Sequence, residues 1–245
     1  MFVIFTLKTL IILYFFGIIY SKNTLKENSM ANYIQNDIGV CPYCKRRIHA
    51  SYNKVLNLSY RKDLQNSINL KNLNTSTCVF CDEVFRFETE IFVFDFKNKY
   101  AIIVNKEGAD TNYSHLRKDI YNLSFGNNYH LRYVTTCLEM VEKIHLFNHG
   151  LDDKAVEIAK QLYFAHIMDN LKEHHRFLVS EISEEMLTFT LYDDHDKSVH
   201  TETTTKSVLD DIHINTQNTN SPFSVYEKIG NKWAKEYLNG GKIYE

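Results

Sequence analysis

Between residues 83 and 96 the chain reads EVFRFETEIFVFDF. Polar and apolar positions alternate through its first half, so Phe85, Phe87, Thr89 and Ile91 share one face of an extended chain. The apolar side then switches to Phe92, Phe94 and Phe96. That switch predicts either a bulge or a strand covered on both faces. A turn at Lys97-Asn98-Lys99 leads into YAIIV, an antiparallel partner. YHLRYVT, residues 129–135, is a third strand. Upstream, SYNKVLNLSYRKDLQNSINL spaces Leu56, Tyr60 and Leu64 four apart, which predicts helical or irregular structure, with a strand before Asn57 as the alternative.

The period then lengthens to that of a helix. Thr136 and Glu139 have the spacing of a capping box, with Thr136 as N-cap. Leu138, Val141, Ile144 and Phe147 form an apolar stripe that Gly150 ends. Asp152 caps a second helix, whose buried face is read as Val156, Ala159, Leu162, Tyr163 and Ile167. The short link makes the two an antiparallel hairpin. Alternation returns in RFLVSEI, MLTFTLYDD and the polar, edge-like SVHTETTT, which together predict a meander. Residues 207–220 read as a loop. Ser221-Pro222 opens a last helix, with Val225, Ile229, Trp233 and Tyr237 on one face and Gly240-Gly241 at its end. The fold class is α+β.

The first 20 residues, MFVIFTLKTLIILYFFGIIY, are apolar apart from Lys8 and a few hydroxyls. Three readings stay open. The run after Lys8 suits the apolar region of a signal peptide. The whole stretch is long enough for one membrane anchor if Lys8 snorkels. Translation starting at Met30 would make residues 1–29 an over-called leader. The protein is then cytoplasmic, and otherwise membrane-anchored or secreted. In the rest of the chain composition is ordinary: 44% hydrophobic and 24% charged over all 245 residues, enough for a buried core without staples. A net charge of −2 gives no global signature of polyanion binding.

Five cysteines change the picture. Cys41 and Cys44 form one Cys-x-x-Cys pair, Cys78 and Cys81 another, and Cys137 is left over. A secreted disulfide framework is usually denser and even in number. A redox pair normally opens a helix after a buried strand, and neither flank has that pattern. Zinc needs four soft ligands in a tetrahedron, and a Cys-x-x-Cys turn places two thiolates on one side of a tight hairpin. Cys41, Cys44, Cys78 and Cys81 therefore predict one structural Zn2+. The 33 residues between Cys44 and Cys78 must leave the site and return to it. A full shell leaves no position for water, which argues against catalysis at the metal.

CPYC, CVFC, the Phe-rich hairpin and LRYVTTCLEMVEKIHLFNHGLDDKAVEIAKQL together resemble the CpXC family, named for its Cys-Pro-Xaa-Cys motif. The likeness covers roughly residues 38–175. It implies a zinc-ribbon domain and carries no established activity with it. The second knuckle departs from the pattern, since it lacks Pro. Lys45 and Asp82 also stand where Gly often follows such knuckles. The resemblance divides the chain into a leader (1–29), a zinc-ribbon-like β module (30–135) and an α+β C-terminal region (136–245).

Other residues have plainer readings. Cys137 in a first helical turn is read as a small core hydrophobe. His145 and His149 have a metal-holding spacing but no third ligand, and a helix C-terminus favours protonated His by itself. Asp152-Asp153 is read as helix capping rather than a catalytic pair. Asp193, Asp194, His195 and Asp196 crowd a solvated turn. Lys45, Arg46 and Arg47 are the candidate nucleic-acid contacts, with solvated surface as the plainer alternative. The expectation is a non-catalytic binding or scaffold protein with a protein partner. Nucleic-acid binding is the alternative, and an enzyme with an unrecognised site comes third. A membrane enters only if residues 1–29 are retained.

Overall fold

The computed structural model describes residues 33–59, 73–86, 89–105, 129–194, 196–212 and 226–240. The leader, Tyr60, Leu64, Phe87, His195, Ser221-Pro222, Val225 and Gly241 lie outside them. In chain order the first strands are β1 (Tyr33–Val40), β2 (Arg47–Asn57), β3 (Thr75–Thr77) and β4 (Val84–Arg86). Next come β5 (Ile91–Asp95), β6 (Tyr100–Val104) and β7 (His130–Val134).

β2 is the strand expected before Asn57, whereas the period-four positions Tyr60 and Leu64 lie outside the described residues. β2 pairs antiparallel with β1 along its length, while Val55–Asn57 at its far end run parallel to β5. The resulting sheet has the order β1-β2-β5-β6-β7, with β5 and β6 antiparallel and β6 and β7 parallel. The alternating run of residues 83–96 divides where its apolar side switches. β4 pairs with β3 in a separate hairpin, and β5 enters the large sheet buried on both faces. Ile91 and Val93 of β5 face one core, and Phe92 and Phe94 face another.

The first of these cores is covered by α1 (Cys137–Asn148), through Val141, Ile144 and Phe147. Thr136 accepts from the Glu139 N–H at 3.2 Å and the Glu139 carboxylate accepts in return, so the capping box is present. Gly150, at φ 68°, ends the helix in the left-handed region that glycine tolerates. Asp152 then caps α2 (Asp153–Tyr163), accepting from the Lys154 N–H at 2.8 Å.

The stripe expected on α2 holds only in part. Val156 and Ala159 are buried, but Leu162 and Tyr163 are 55% and 45% exposed. The helix breaks at Phe164, which is buried itself, and α3 (Ala165–Met168) begins a new turn that buries Met168. Leu162 and Tyr163 stand in the last turn of α2, ahead of the break, while Ile167 beyond it packs partly buried against the meander core. Phe164 and Met168 join Leu146 and Val156 against Phe177, Val179, Leu187 and Phe189 of the meander. That meander is β8 (Arg176–Ile182), β9 (Met186–Tyr192) and β10 (Ser198–Thr205), all antiparallel in the order β10-β9-β8.

The C-terminal helix is shorter than its sequence pattern predicts: α4 spans Asn231–Leu238. Residues before it run extended beside β7. There the Tyr133 N–H donates to the Glu227 carbonyl at 3.0 Å, and the Glu227 N–H donates to the Leu131 carbonyl at 3.1 Å. The unpaired backbone of a sheet edge outcompetes one more helical turn. Ile229 and Trp233 then pack on Ile158 of α2.

Between β7, α1 and α2 lies a buried network of charges. Arg132 grips Asp153 with Nε and Nη2 at 2.8 and 2.9 Å. Lys143 lies 3.1 Å from Asp153 and 3.4 Å from Glu157. Lys160 bridges Glu142 and Glu157 at 2.8 Å each. Three cations thus meet three carboxylates. Burial alone pushes the Asp153 carboxyl up, but Arg132 and Lys143 hold it well below the usual carboxylate range. Glu142 also accepts from the Val179 N–H of β8 at 2.7 Å, and Glu227 reaches Arg132 at 2.8 Å.

Removing one charge from such a network strands its partners in the core. Asp153→Asn is expected to cost about 3–5 kcal/mol of unfolding free energy, against about 1 kcal/mol for Asp152→Ala, which loses only a cap. A depressed carboxyl contributes stability above its unfolded pKa, here the ordinary 3.8, and that contribution is lost as pH falls below it. Urea unfolding between pH 7 and pH 2 should show a decline below about pH 4 that is flatter in Asp153→Asn.

Candidate metal centre

Two short turns carry the four paired cysteines. The first joins β1 to β2, and the second joins β3 to β4. Their backbones repeat one another. The Cys41 N–H donates to the Arg46 carbonyl and the Lys45 N–H to the Cys41 carbonyl, both at 3.0 Å. The Cys78 N–H donates to the Glu83 carbonyl and the Asp82 N–H to the Cys78 carbonyl, both at 2.9 Å. Lys45 and Asp82 hold φ at 62° and 57°. The sequence thus departs from glycine at the two positions whose left-handed backbone favours it. Ile48 and Phe85, each seven residues after the first cysteine of its knuckle, pack beneath the sulfurs.

The four Sγ atoms all lie within 4.8 Å of one another. Cys41 is 3.8 Å from Cys81, and Cys44 is 3.6 Å from Cys78. A tetrahedron with metal–sulfur bonds of about 2.3 Å has edges of about 3.8 Å. A disulfide needs about 2.05 Å, and all four cysteines are free. Cys41 and Cys78 are buried, while Cys44 and Cys81 are half-buried.

Crowding sets the acidity of these thiols. Burial pushes the Cys41 thiol up, and the Cys44 and Tyr43 amides more than offset this, bringing it to about 7. At Cys81 the Glu83 amide favours the thiolate, but burial and the neighbouring thiols push the group up to about 12. The first proton leaves readily and a later one does not. Four sulfurs this close could hold a cation among them, and soft sulfur donors in a tetrahedron suit a metal ion.

The basic run lies on the rim of this site, exposed. Lys45 Nζ donates to the Pro42 carbonyl at 2.7 Å, and the Arg46 guanidinium sits 4.9 Å above the Phe80 ring of the other knuckle. Arg47 opens β2 opposite Val40.

The remaining candidates stay apart from the site. Cys137 is buried in the first core, as a small hydrophobe. Among the described residues, the four cysteines are the group of metal-type ligands that comes together, and His145 and His149 do not join one. Burial first, and His149 second, hold His145 below its ordinary pKa, so desolvation overrides the helix dipole expected to favour its cation. Asp193 accepts from the Lys197 N–H at 2.9 Å, and Asp196 pairs with Arg86 of β4. The aspartate turn therefore ties the meander to the second knuckle. Asp152 is a cap as expected, but Asp153 is not. It belongs to the buried network, whose members Arg132, Glu142, Lys143, Glu157 and Lys160 sequence reading passed over. A hairpin folded about Gly150 sets 143 against 157 and 142 against 160, opposite signs in both cases, and that pairing was the available signal.

Both knuckles, the strands from β2 to β7, α1 and most of α2 fall within residues 40–160, which match the family model described as CpXC protein. Over that span, just under half of its length, the chain is similar to the CpXC family. The whole meander and all of α4 lie beyond it. No curated protein and no solved structure matches the chain.

The left-handed turns give a direct check on the CpXC site. Lys45→Gly and Asp82→Gly relieve a backbone that glycine adopts without a Cβ clash. Each is expected to raise the stability of metal-loaded protein by about 1 kcal/mol in chemical denaturation, with the metal count unchanged.

Proposed function

We propose that the CpXC site holds one Zn2+ as a structural clamp, and that the protein is a non-catalytic binding or scaffold protein. The observation that carries this is the sulfur geometry, four donors with edges near those of a zinc tetrathiolate. Zinc is the metal of choice for such a shell because it needs no redox partner and accepts the tetrahedron without strain. Closing the site fixes the residues between Cys44 and Cys78, so metal binding adds to folding energy.

The strongly shifted carboxylate and lysines are consumed by one another inside the core. A concavity of about 510 Å3 lies instead along the β1–β2 hairpin, lined by Asn36, Asp37, Ile38, His49, Ala50 and Ser51, away from those groups. This arrangement supports recognition rather than chemistry. A protein partner at the knuckle rim is the leading reading. Nucleic acid is the second, favoured by Lys45, Arg46 and Arg47 standing beside Tyr43 and Phe80. Among the described residues no helix is long and apolar enough to cross a membrane. A tetrathiolate site fits a reducing compartment.

Native mass spectrometry of protein made in a reducing cytosol tests the clamp. One zinc per chain is expected, lost on replacing Cys41 and Cys78 by Ser. Metal-free protein carrying two disulfides overturns the reading. For the second reading, oligonucleotide affinity should fall with salt, and Ala at positions 45–47 should flatten that slope.

A further inference from the structure

Exposed apolar side chains are concentrated at one end of the described structure. Twelve large hydrophobic residues are exposed among the described residues, and seven lie between Ile34 and Val84. Val79 is 77% exposed, Tyr43 60% and Phe80 52%. Val79 and Phe80 occupy the tip of the second knuckle, and Tyr43 the tip of the first. Ile34, Ile38 and Val40 continue this apolar surface along β1, the edge strand of the large sheet. An apolar surface of this kind, rimmed by charge, marks a docking site.

The rim has a polarity that narrows the occupant. The first knuckle is followed by Lys45, Arg46 and Arg47, and the second by Asp82 and Glu83, all exposed. The tip is therefore basic on one knuckle, acidic on the other and apolar on both. A polyanion would meet the acidic pair as well as the basic run, and an acidic peptide would be opposed in the same way. One surface matches both halves at once: the same tip turned about a two-fold axis. In an isologous contact each patch meets its counterpart reciprocally, so a patch carrying both signs complements itself.

We infer that two copies of this chain associate knuckle to knuckle. The basic run of one copy faces Asp82 and Glu83 of the other, and Tyr43, Val79 and Phe80 meet at the centre. The inference rests on the proposed zinc clamp, which holds both knuckles in register. A tip of this size falls below a standard interface, so the dimer is weak, with dissociation in the micromolar range or above.

The test is charge exchange in the full, zinc-loaded chain, read by sedimentation up to about 100 µM, with the metal counted in the same samples by native mass spectrometry. One variant carries Lys45→Glu, Arg46→Glu and Arg47→Glu. The other carries Asp82→Lys and Glu83→Lys. Wild type is expected to dimerise, and each variant alone to weaken at least tenfold. An equimolar mixture of the two should recover a heterodimer, which also shows that both fold. Raising the salt should narrow these differences. A zinc-loaded wild type that stays monomeric overturns the inference and leaves the clamp standing, as does dimerisation indifferent to both variants or a mixture that fails to associate. A monomer that binds single-stranded oligonucleotide and loses it in the first variant overturns it in favour of nucleic acid. Chains without metal and with disulfides overturn the clamp and the inference together.

Discussion

The charged network around Asp153 constrains the rest of the fold. Six ionisable side chains are removed from water there, and in an apolar interior each charge would be costly alone. They are tolerated because every one has a counter-charge at close range, from a different element in most cases. The network therefore exists only when β7, α1 and α2 are all in place. A slip of one residue between the helices would set Lys143 and Lys160 against the wrong neighbours. Such a device selects an arrangement more than it stabilises one. A well-packed apolar substitute can match its energy but tolerates several registers.

The same network reaches beyond the CpXC span. Glu142 accepts from the backbone of β8, which joins the meander to the helical hairpin. Glu227 meets Arg132 and Lys154, which fastens the segment before α4 along the free edge of β7. The two later parts of the chain are thus attached to charges that lie within that span. At the other end of the molecule the cysteines work by a different principle. They close a long excursion of the chain upon itself and gather two hairpins around four sulfurs.

What was legible in the sequence follows from range. The capping box of Thr136 and Glu139, the turn between β5 and β6, and the meander are specified by neighbours, and all stand as read. The four cysteines were legible for another reason. A tetrathiolate shell demands their residue type and spacing whatever the fold around them. The illegible parts are those where distant backbone decides. The parallel pairing of β2 with β5 is one, because nothing local fixes the partner of Val55. The extended run at Glu227 is another, since its preference for the β7 edge over a helix depends on a strand nearly a hundred residues earlier. The interior charges were passed over because lysine and glutamate on helices normally face water.

β2 belongs at once to the hairpin that carries the first knuckle and to the sheet that carries the core. Its eleven residues span about 36 Å, with one register shift at Lys54. The second knuckle is braced separately, by Arg86 against Asp196. The cysteine tip is therefore not a bead on a tether. It is the far end of a beam clamped in the domain's interior, with a side strut. A load on the tip is delivered along the strand to Leu56, within the core that α1 covers, so contact at the surface and order in the interior share one piece of backbone.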